Sequence, residues 1–137
     1  MRLWHYKLVP YLPKQMLVSQ WRECIAIKRQ WENGTLKHRL VSYVMYYHKK
    51  YLRNYAYLIM EEMRNRHINF KRSYFTELCN FGYDDGGIVS YNLYYKEHND
   101  RYLKQCLYNL QEKFDRGIVS KEEWDEIEKD FYWYLEE

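Results

Sequence analysis

Residues 13–34, PKQMLVSQWRECIAIKRQWENG, establish the helical character of this chain. The segment opens on a proline, which suits the first turn of a helix, and closes on Asn33-Gly34, a strong helix-ending signal. We predict a helix from about residue 13 to about residue 31. At about 100° per residue, bulky apolar side chains share one face of this helix and polar or small ones share the other. The apolar face holds Leu17, Trp21, Cys24 and Ile25, and the other face holds Gln15, Ser19, Arg22, Glu23, Ala26 and Gln30.

The rest of the chain repeats helical patterning without strand alternation. A long helical region is predicted for about 37–66, with His48-Lys49-Lys50 as a possible break, and Ser120 with Glu123 forms a capping box for a last helix. The remaining predictions are a long ordered loop over 67–96 that contains a short helix near 73–80, a third helix over about 98–115, and the last helix over about 120–135. We expect an all-α fold, an irregular bundle of three to five helices forming one domain over residues 1–137.

Charge is distributed unevenly along the chain. Residues 1–75 contain 15 Lys and Arg against 4 Asp and Glu, whereas residues 76–137 contain 7 against 15, although the net charge is only +3. The basic part attracts phosphate backbones regardless of sequence. It could equally be a solvated face, or could dock on the acidic part. The 17 tyrosines fill core edges by default and can also stack on bases.

Cysteine and histidine spacing favours neither a metal site nor a disulfide framework. Cys24, Cys79 and Cys106 are far apart and form no CxxC pair, and the five histidines have no HExxH-like spacing. The opening residues are too polar for a signal peptide, and no apolar run approaches the ~18 residues of a membrane span. We therefore expect a cytoplasmic, reduced protein with no metal, no cofactor and no membrane partner.

Glu23 beside Arg22 is the most informative pair of residues for function. A carboxylate next to an arginine, on a helix face without bulky apolar groups, suits acid–base chemistry on an anionic substrate. A solvated helix face is the alternative, because surface ion pairs contribute little.

Two ungapped blocks of the chain resemble the phage-type pyrimidine dimer DNA glycosylase family, also called the endonuclease V family. Residues 1–26 carry the first block, and residues 45–70 carry the second; beyond residue 75 the likeness is faint. The matching residues are Leu8, Val9, Leu12, Gln15, Leu17, Arg22 and Glu23 in the first block and Leu52, Arg53, Glu62, Arg66 and Asn69 in the second. The opening Met1 to His5 also resembles a bacterial branch of that family.

The resemblance implies a DNA repair glycosylase with associated AP lyase action, with pyrimidine dimers as one candidate lesion. In the family a free N-terminal amine attacks the sugar C1′ of the damaged nucleotide and forms an imine. The glutamate that matches Glu23 assists the proton transfers. An α-amine titrates near 7.7–8.0, so a useful fraction is neutral at cellular pH. Arg22 and Gln15, carried over by position, would hold phosphate and the distorted strand.

The chain departs from the family at its nucleophile. The family loses its initiator methionine and exposes a threonine that is followed by arginine, whereas Arg2 follows Met1 directly here. Methionine aminopeptidases accept only small second residues, so Met1 should be retained. Either the Met1 amine takes the place of the threonine, with Arg2 at the place of the family's arginine, or the nucleophile is lost. We favour the first.

Further phosphate contacts are expected from Lys49, Lys50 and Arg53 in the basic part. The family's basic, aromatic C-terminal segment has no convincing match here, since residues 124–137 are acidic. The expected partner is damaged double-stranded DNA, bound by a monomer. Two alternatives stay open: a catalytically silent nucleic-acid-binding module, and a protein–protein adaptor of the same fold.

Overall fold

The computed structural model describes residues 1–82 and 93–135, and within these ranges the chain is helical. Five α-helices follow one another: α1 (Lys14–Glu32), α2 (Lys50–Asn65), α3 (Arg72–Asn80), α4 (Asp100–Asp115) and α5 (Lys121–Leu135). Short 3-10 helices at Tyr6–Tyr11 and Ser42–Tyr46 precede α1 and α2. The predicted all-α bundle of three to five helices is confirmed.

Except for the region predicted over 37–66, the predicted helix boundaries agree closely with the observed ones. The long region predicted over 37–66 is broken before α2, as its His48-Lys49-Lys50 sequence indicated, and the preceding stretch forms a 3-10 helix instead. The capping box at the start of α5 is reciprocal: Ser120 Oγ accepts from the Glu123 N–H at 3.1 Å, and Glu123 Oε1 accepts from the Ser120 N–H at 2.9 Å. Residues 83–92 of the predicted loop lie outside the described residues.

The core is one cluster of buried apolar side chains to which all five α-helices contribute. Leu17, Trp21, Cys24 and Ile25 of the predicted apolar face of α1 are all buried. α2 packs against both α1 and α3, and α5 packs against α4 and the first 3-10 helix. Among the described residues, no helix is both long and apolar enough to cross a membrane.

The N-terminal segment matters most for the site. Before the first 3-10 helix, Leu3, Trp4 and His5 are buried, although they belong to no regular element. Such a segment must bond its backbone polar groups elsewhere, because a buried unpaired amide or carbonyl is costly. Here side chains supply the partners: Tyr102 of α4 donates to the Leu3 carbonyl at 2.5 Å, and Tyr55 of α2 donates to the Trp4 carbonyl at 2.5 Å.

Candidate active site

The chain terminus and the polar face of α1 border one cavity of about 410 Å³ that is open to solvent. Its lining brings together Met1, Arg2, Gln15 and Glu23, four of the residues singled out from the sequence. The remaining lining residues are Trp4, Met16, Ser19, Asn109 and Lys113. A volume in this range is typical of small-ligand sites, and one flipped nucleotide is a ligand of that size.

Helix geometry explains why these groups meet. Gln15, Ser19 and Glu23 are spaced by four residues, so their side chains rise along one edge of α1. The buried path of Leu3 and Trp4 then lays the terminus alongside that edge. α4 adds Asn109 and Lys113 to the lining.

Glu23 is half-buried, and burial raises the pKa of its carboxyl above the ordinary value. Four neighbours partly oppose this shift: the positive charge of the terminal amine, the backbone N–H of Arg2, the side chain of Gln20 and, as the smallest contribution, His38. Gln20 Nε2 lies 3.1 Å from Glu23 Oε2. The terminal amine is thus close enough to Glu23 to act electrostatically on it, and the residue after Met1 is hydrogen-bonded to the same carboxylate.

Cations surround the single carboxylate of this cavity. The terminal amine, Arg2 and Lys113 face one acidic side chain, Glu23, so the described lining carries an excess of positive charge. The Arg2 guanidinium lies 5.5 Å from the centre of the Trp4 ring. Its charge also acts on the Tyr102 hydroxyl. Such a cavity favours an anionic ligand such as a nucleic-acid phosphate.

Arg22 does not share this cavity. Consecutive helical residues point about 100° apart, and Arg22 lines a separate pocket of about 370 Å³ between α1, α2 and α3. Its neighbours there include Trp21, Phe70, Lys71 and Tyr74. Arg22 and Glu23, adjacent in sequence, therefore line two different pockets.

The predicted cations of α2 lie away from the Glu23 cavity. Lys49 places its ammonium 4.6 Å from the Phe81 ring centre, and Lys50 begins α2. Arg53 is buried, with 3% of its surface exposed, and its charge acts on Cys79. Burial removes Arg53 from the surface where a phosphate would contact it. None of the three is among the described residues lining the Glu23 cavity.

Sequence reasoning missed Gln20, Asn109 and Lys113. Gln20 left one signal, because it is a polar residue flanked on the apolar stripe of α1 by Leu17 and Cys24, and such a residue needs a buried partner. Asn109 and Lys113 gave no such signal in the sequence, because the sequence of α4 does not indicate which of its polar residues face the terminal segment. Among residues 1–82 and 93–135, no group of three or more His, Cys, Asp or Glu could hold a metal ion.

The aromatic C-terminal segment divides between core and surface. Phe131 is buried and meets the Tyr11 ring edge-on with centroids 5.0 Å apart, whereas Trp133 is 66% exposed. Tyr11 also donates to Asp130 at 2.6 Å. The segment is therefore partly structural, fastening α5 to the first 3-10 helix.

Comparison with known proteins identifies one family. The family model described as pyrimidine dimer DNA glycosylase matches residues 1–76, which include the terminus, α1, α2 and about half of α3. No curated protein and no solved structure matches the chain. Because the match covers more than half of the 137 residues, the chain belongs to the pyrimidine dimer DNA glycosylase family.

Proposed function

We propose that this member of the pyrimidine dimer DNA glycosylase family is an active glycosylase with AP lyase action on damaged DNA. In this proposal the α-amine of Met1 is the nucleophile, and Glu23 carries out the proton transfers. The observation that carries it is the shared cavity of Met1, Arg2, Gln15 and Glu23, in which the terminal amine acts on the Glu23 carboxylate.

The chemistry requires a neutral amine beside a proton acceptor. The amine nitrogen attacks C1′ of the damaged nucleotide, the bond from C1′ to the base breaks, and loss of a proton from nitrogen with opening of the sugar ring leaves an imine. Glu23 then takes a proton from C2′, and the bond between C3′ and its phosphate oxygen breaks. The raised pKa of Glu23 suits this task, because a more basic carboxylate is a better proton acceptor.

The surrounding cations have a separate task. Arg2 and Lys113, which both line the cavity, would bind the phosphates that flank the reacting sugar. Arg22 and Lys71 border the neighbouring pocket and would extend this contact along the strand. Gln15, on the same edge of α1 as Glu23, is available to hydrogen-bond the sugar or base.

Borohydride trapping tests the proposal directly. The untagged protein is incubated with a duplex containing an abasic site or a pyrimidine dimer, and borohydride reduces any imine to a stable covalent adduct. Intact-mass analysis first establishes that Met1 is the terminal residue, and peptide mapping then locates the adduct. We expect a single adduct on the Met1 nitrogen.

A matched control is the same protein with its N-terminus acetylated. An amide nitrogen has no available lone pair, so acetylation should abolish trapping while leaving DNA binding in place. An adduct that persists after acetylation would assign the nucleophile to a lysine, with Lys113 the first to examine because it lines the cavity. DNA binding without any adduct would favour the silent binding module, and loss of both would favour the adaptor.

A further inference from the structure

The backbone of the terminal segment is held by side chains, and Gln20 is at the centre of this arrangement. Gln20 lies on α1 with only 1% of its surface exposed. It contacts Arg2 and Trp4 of the terminal segment, Tyr55 of α2, and Glu23 one turn further along α1.

The Gln20 carboxamide has a neighbour at each of its hydrogen-bonding positions. Oε1 accepts from the Trp4 N–H at 2.7 Å and lies 2.9 Å from the Tyr55 hydroxyl oxygen, whose single proton is shared with the Trp4 carbonyl. Nε2 donates to the Arg2 carbonyl at 2.9 Å and to Glu23 Oε2 at 3.1 Å. A carboxamide offers two acceptor positions and two N–H groups, so both N–H groups are engaged and the oxygen has one full and one shared donor. The partners also settle its orientation, because a flipped amide would turn its NH₂ toward the Trp4 N–H.

From this geometry we infer that Gln20 is a positioning residue for the reaction, one that holds the Met1 end of the chain and the Glu23 carboxylate in a single fixed arrangement. The inference rests on the proposed function. One NH₂ group bridges the Arg2 carbonyl and the Glu23 carboxylate. Gln20 thereby links the residue that follows the nucleophile to the proton acceptor.

Only an amide at this position satisfies all four partners. Glutamate has the same shape but, when ionised, can only accept, so it would face the Arg2 carbonyl and the Glu23 carboxylate with oxygen. Two carboxyls at that separation repel each other when both are ionised, so the pair would keep one proton up to a higher pH than a single carboxyl would. Methionine has a similar length and provides no hydrogen bond of comparable strength.

Gln20→Glu and Gln20→Met test the inference together, with Gln105→Glu on the exposed face of α4 as the control for added charge. We expect single-turnover adduct formation to slow by roughly 10- to 100-fold in both Gln20 variants, as for a small displacement of reacting groups. The acid limb of the pH–rate profile contains protonation of the terminal amine and, at lower pH, protonation of Glu23. The Glu23 part of this limb should move to higher pH, further in Gln20→Glu than in Gln20→Met. The Kd for DNA and the Gln105→Glu profile should stay unchanged.

A second readout requires no activity. NMR titration of the Glu23 carboxyl in the free protein should show a higher Glu23 pKa in both variants, and the increase should be larger in Gln20→Glu than in Gln20→Met. If both fold and neither the acid limb nor the Glu23 titration moves, the inference is overturned, and any loss of rate reflects general instability. If Gln20→Glu does not fold, Gln20→Met alone decides by the same criteria. If wild type forms no adduct but the titration moves as expected, the positioning holds and the proposed function fails.

Discussion

Glu23 is held in a conformation that disfavours its own charge. It is half-buried, and burial raises the pKa of its carboxyl more than the terminal amine, the Arg2 N–H and Gln20 lower it. A glutamate with a folded-state pKa above its unfolded value stabilises the fold below that value, and this stabilisation is lost as the pH rises through the folded pKa. In its ionised form Glu23 is thus a destabilising group, as is common for residues kept for function.

Replacing this carboxylate should separate activity from folding. We expect Glu23→Gln to lower strand cleavage by about 10²–10⁴-fold, because glutamine cannot accept the proton. Its thermal stability at pH 7 should equal or exceed that of wild type, and its Kd for DNA should be unchanged. Glu61→Gln, which removes a carboxylate paired with Arg64 at 2.9 Å away from the cavity, is the control. A destabilised Glu23→Gln variant, or one that cleaves normally, would contradict the assignment.

The pH dependence of cleavage should report the same carboxyl. The reaction needs both a neutral terminal amine and an ionised Glu23, so the rate should fall as the amine is protonated and fall more steeply below the folded pKa of Glu23. Because the pKa of Glu23 is raised, the midpoint of this second, steeper fall should lie above the value of about 4.3 of an exposed glutamate, and the second fall should be absent in Glu23→Gln. Single-turnover rates measured across the acidic and neutral range check this. A midpoint at or below the exposed value would contradict a half-buried catalytic carboxylate.

At the scale of elements, the start of α2 is fixed by a close approach to the end of α3. Gly82 follows α3 with a φ of +81°, and a Cβ built there would lie 2.3 Å from the Cβ of Lys49. Lys49 in turn places its ammonium over the ring of Phe81. This position requires glycine, because only glycine adopts the left-handed conformation without strain and has no side chain to collide with Lys49.

Two glycines with similar backbone conformations provide a matched comparison. Gly34, after α1, has a φ of +71°, and a methyl group added there would meet no atom within 4 Å. Gly34→Ala should therefore cost only the left-handed strain, about 1–2 kcal/mol. Gly82→Ala should cost a further ~1–3 kcal/mol, because the added methyl forces α2 and α3 apart. Chemical denaturation of both variants measures the difference, and equal losses would contradict the close approach.

At the scale of the whole molecule, two buried histidines join the terminus to the rest of the bundle. His98 accepts from the Tyr6 N–H at 3.1 Å and pairs with the Tyr43 hydroxyl at 2.9 Å. Desolvation lowers the pKa of His98 to about 3 and that of His5 to about 4. Both rings are therefore neutral in the folded protein, and their contribution to stability is present above the unfolded value near 6.5.

Acid should weaken the fold before most carboxylates titrate. As the pH falls below about 6.5, His5 and His98 take up protons in the unfolded chain but stay neutral in the folded protein. Each histidine therefore lowers the free energy of unfolding by up to about 1.4 kcal/mol per pH unit. The free energy of unfolding of wild type should decrease between about pH 6.5 and about pH 5. At neutral pH His98→Gln should be less stable than wild type, and its free energy of unfolding should decrease less steeply as the pH falls. His67→Asn, away from His5 and His98, should keep the wild-type dependence on pH. A His98→Gln slope equal to that of wild type would contradict the prediction.

The uneven charge of the molecule predicts salt-dependent DNA binding. Each phosphate contact contributes a slope of about −0.9 to the dependence of log K on log salt. Arg22→Gln and Lys71→Gln, in the pocket beside the Glu23 cavity, should each reduce the slope by about one contact. Arg116→Gln, an exposed arginine at the end of α4 paired with Glu112, is the control and should leave the slope unchanged. Binding that does not depend on salt would favour the adaptor.

The helices and the identity of the central residues follow from the sequence without further information. Helical periodicity, the Asn33-Gly34 ending of α1 and the capping box before α5 are local signals, and local signals place helix ends well. Glu23, Gln15 and the terminus were recognisable because they lie close together in the sequence and match one family in register.

Which side chains share the site depends on the packing of the folded chain. Arg22 and Glu23 are adjacent in sequence, yet the ~100° between them sends the two into different cavities. Arg53 looked like a surface cation and is buried against the core. Gln20 and Lys113 became recognisable only once the terminus and α4 were placed beside α1. The physical reason is that spacing reports which face of a helix a residue occupies, whereas the packing of distant segments determines what that face meets.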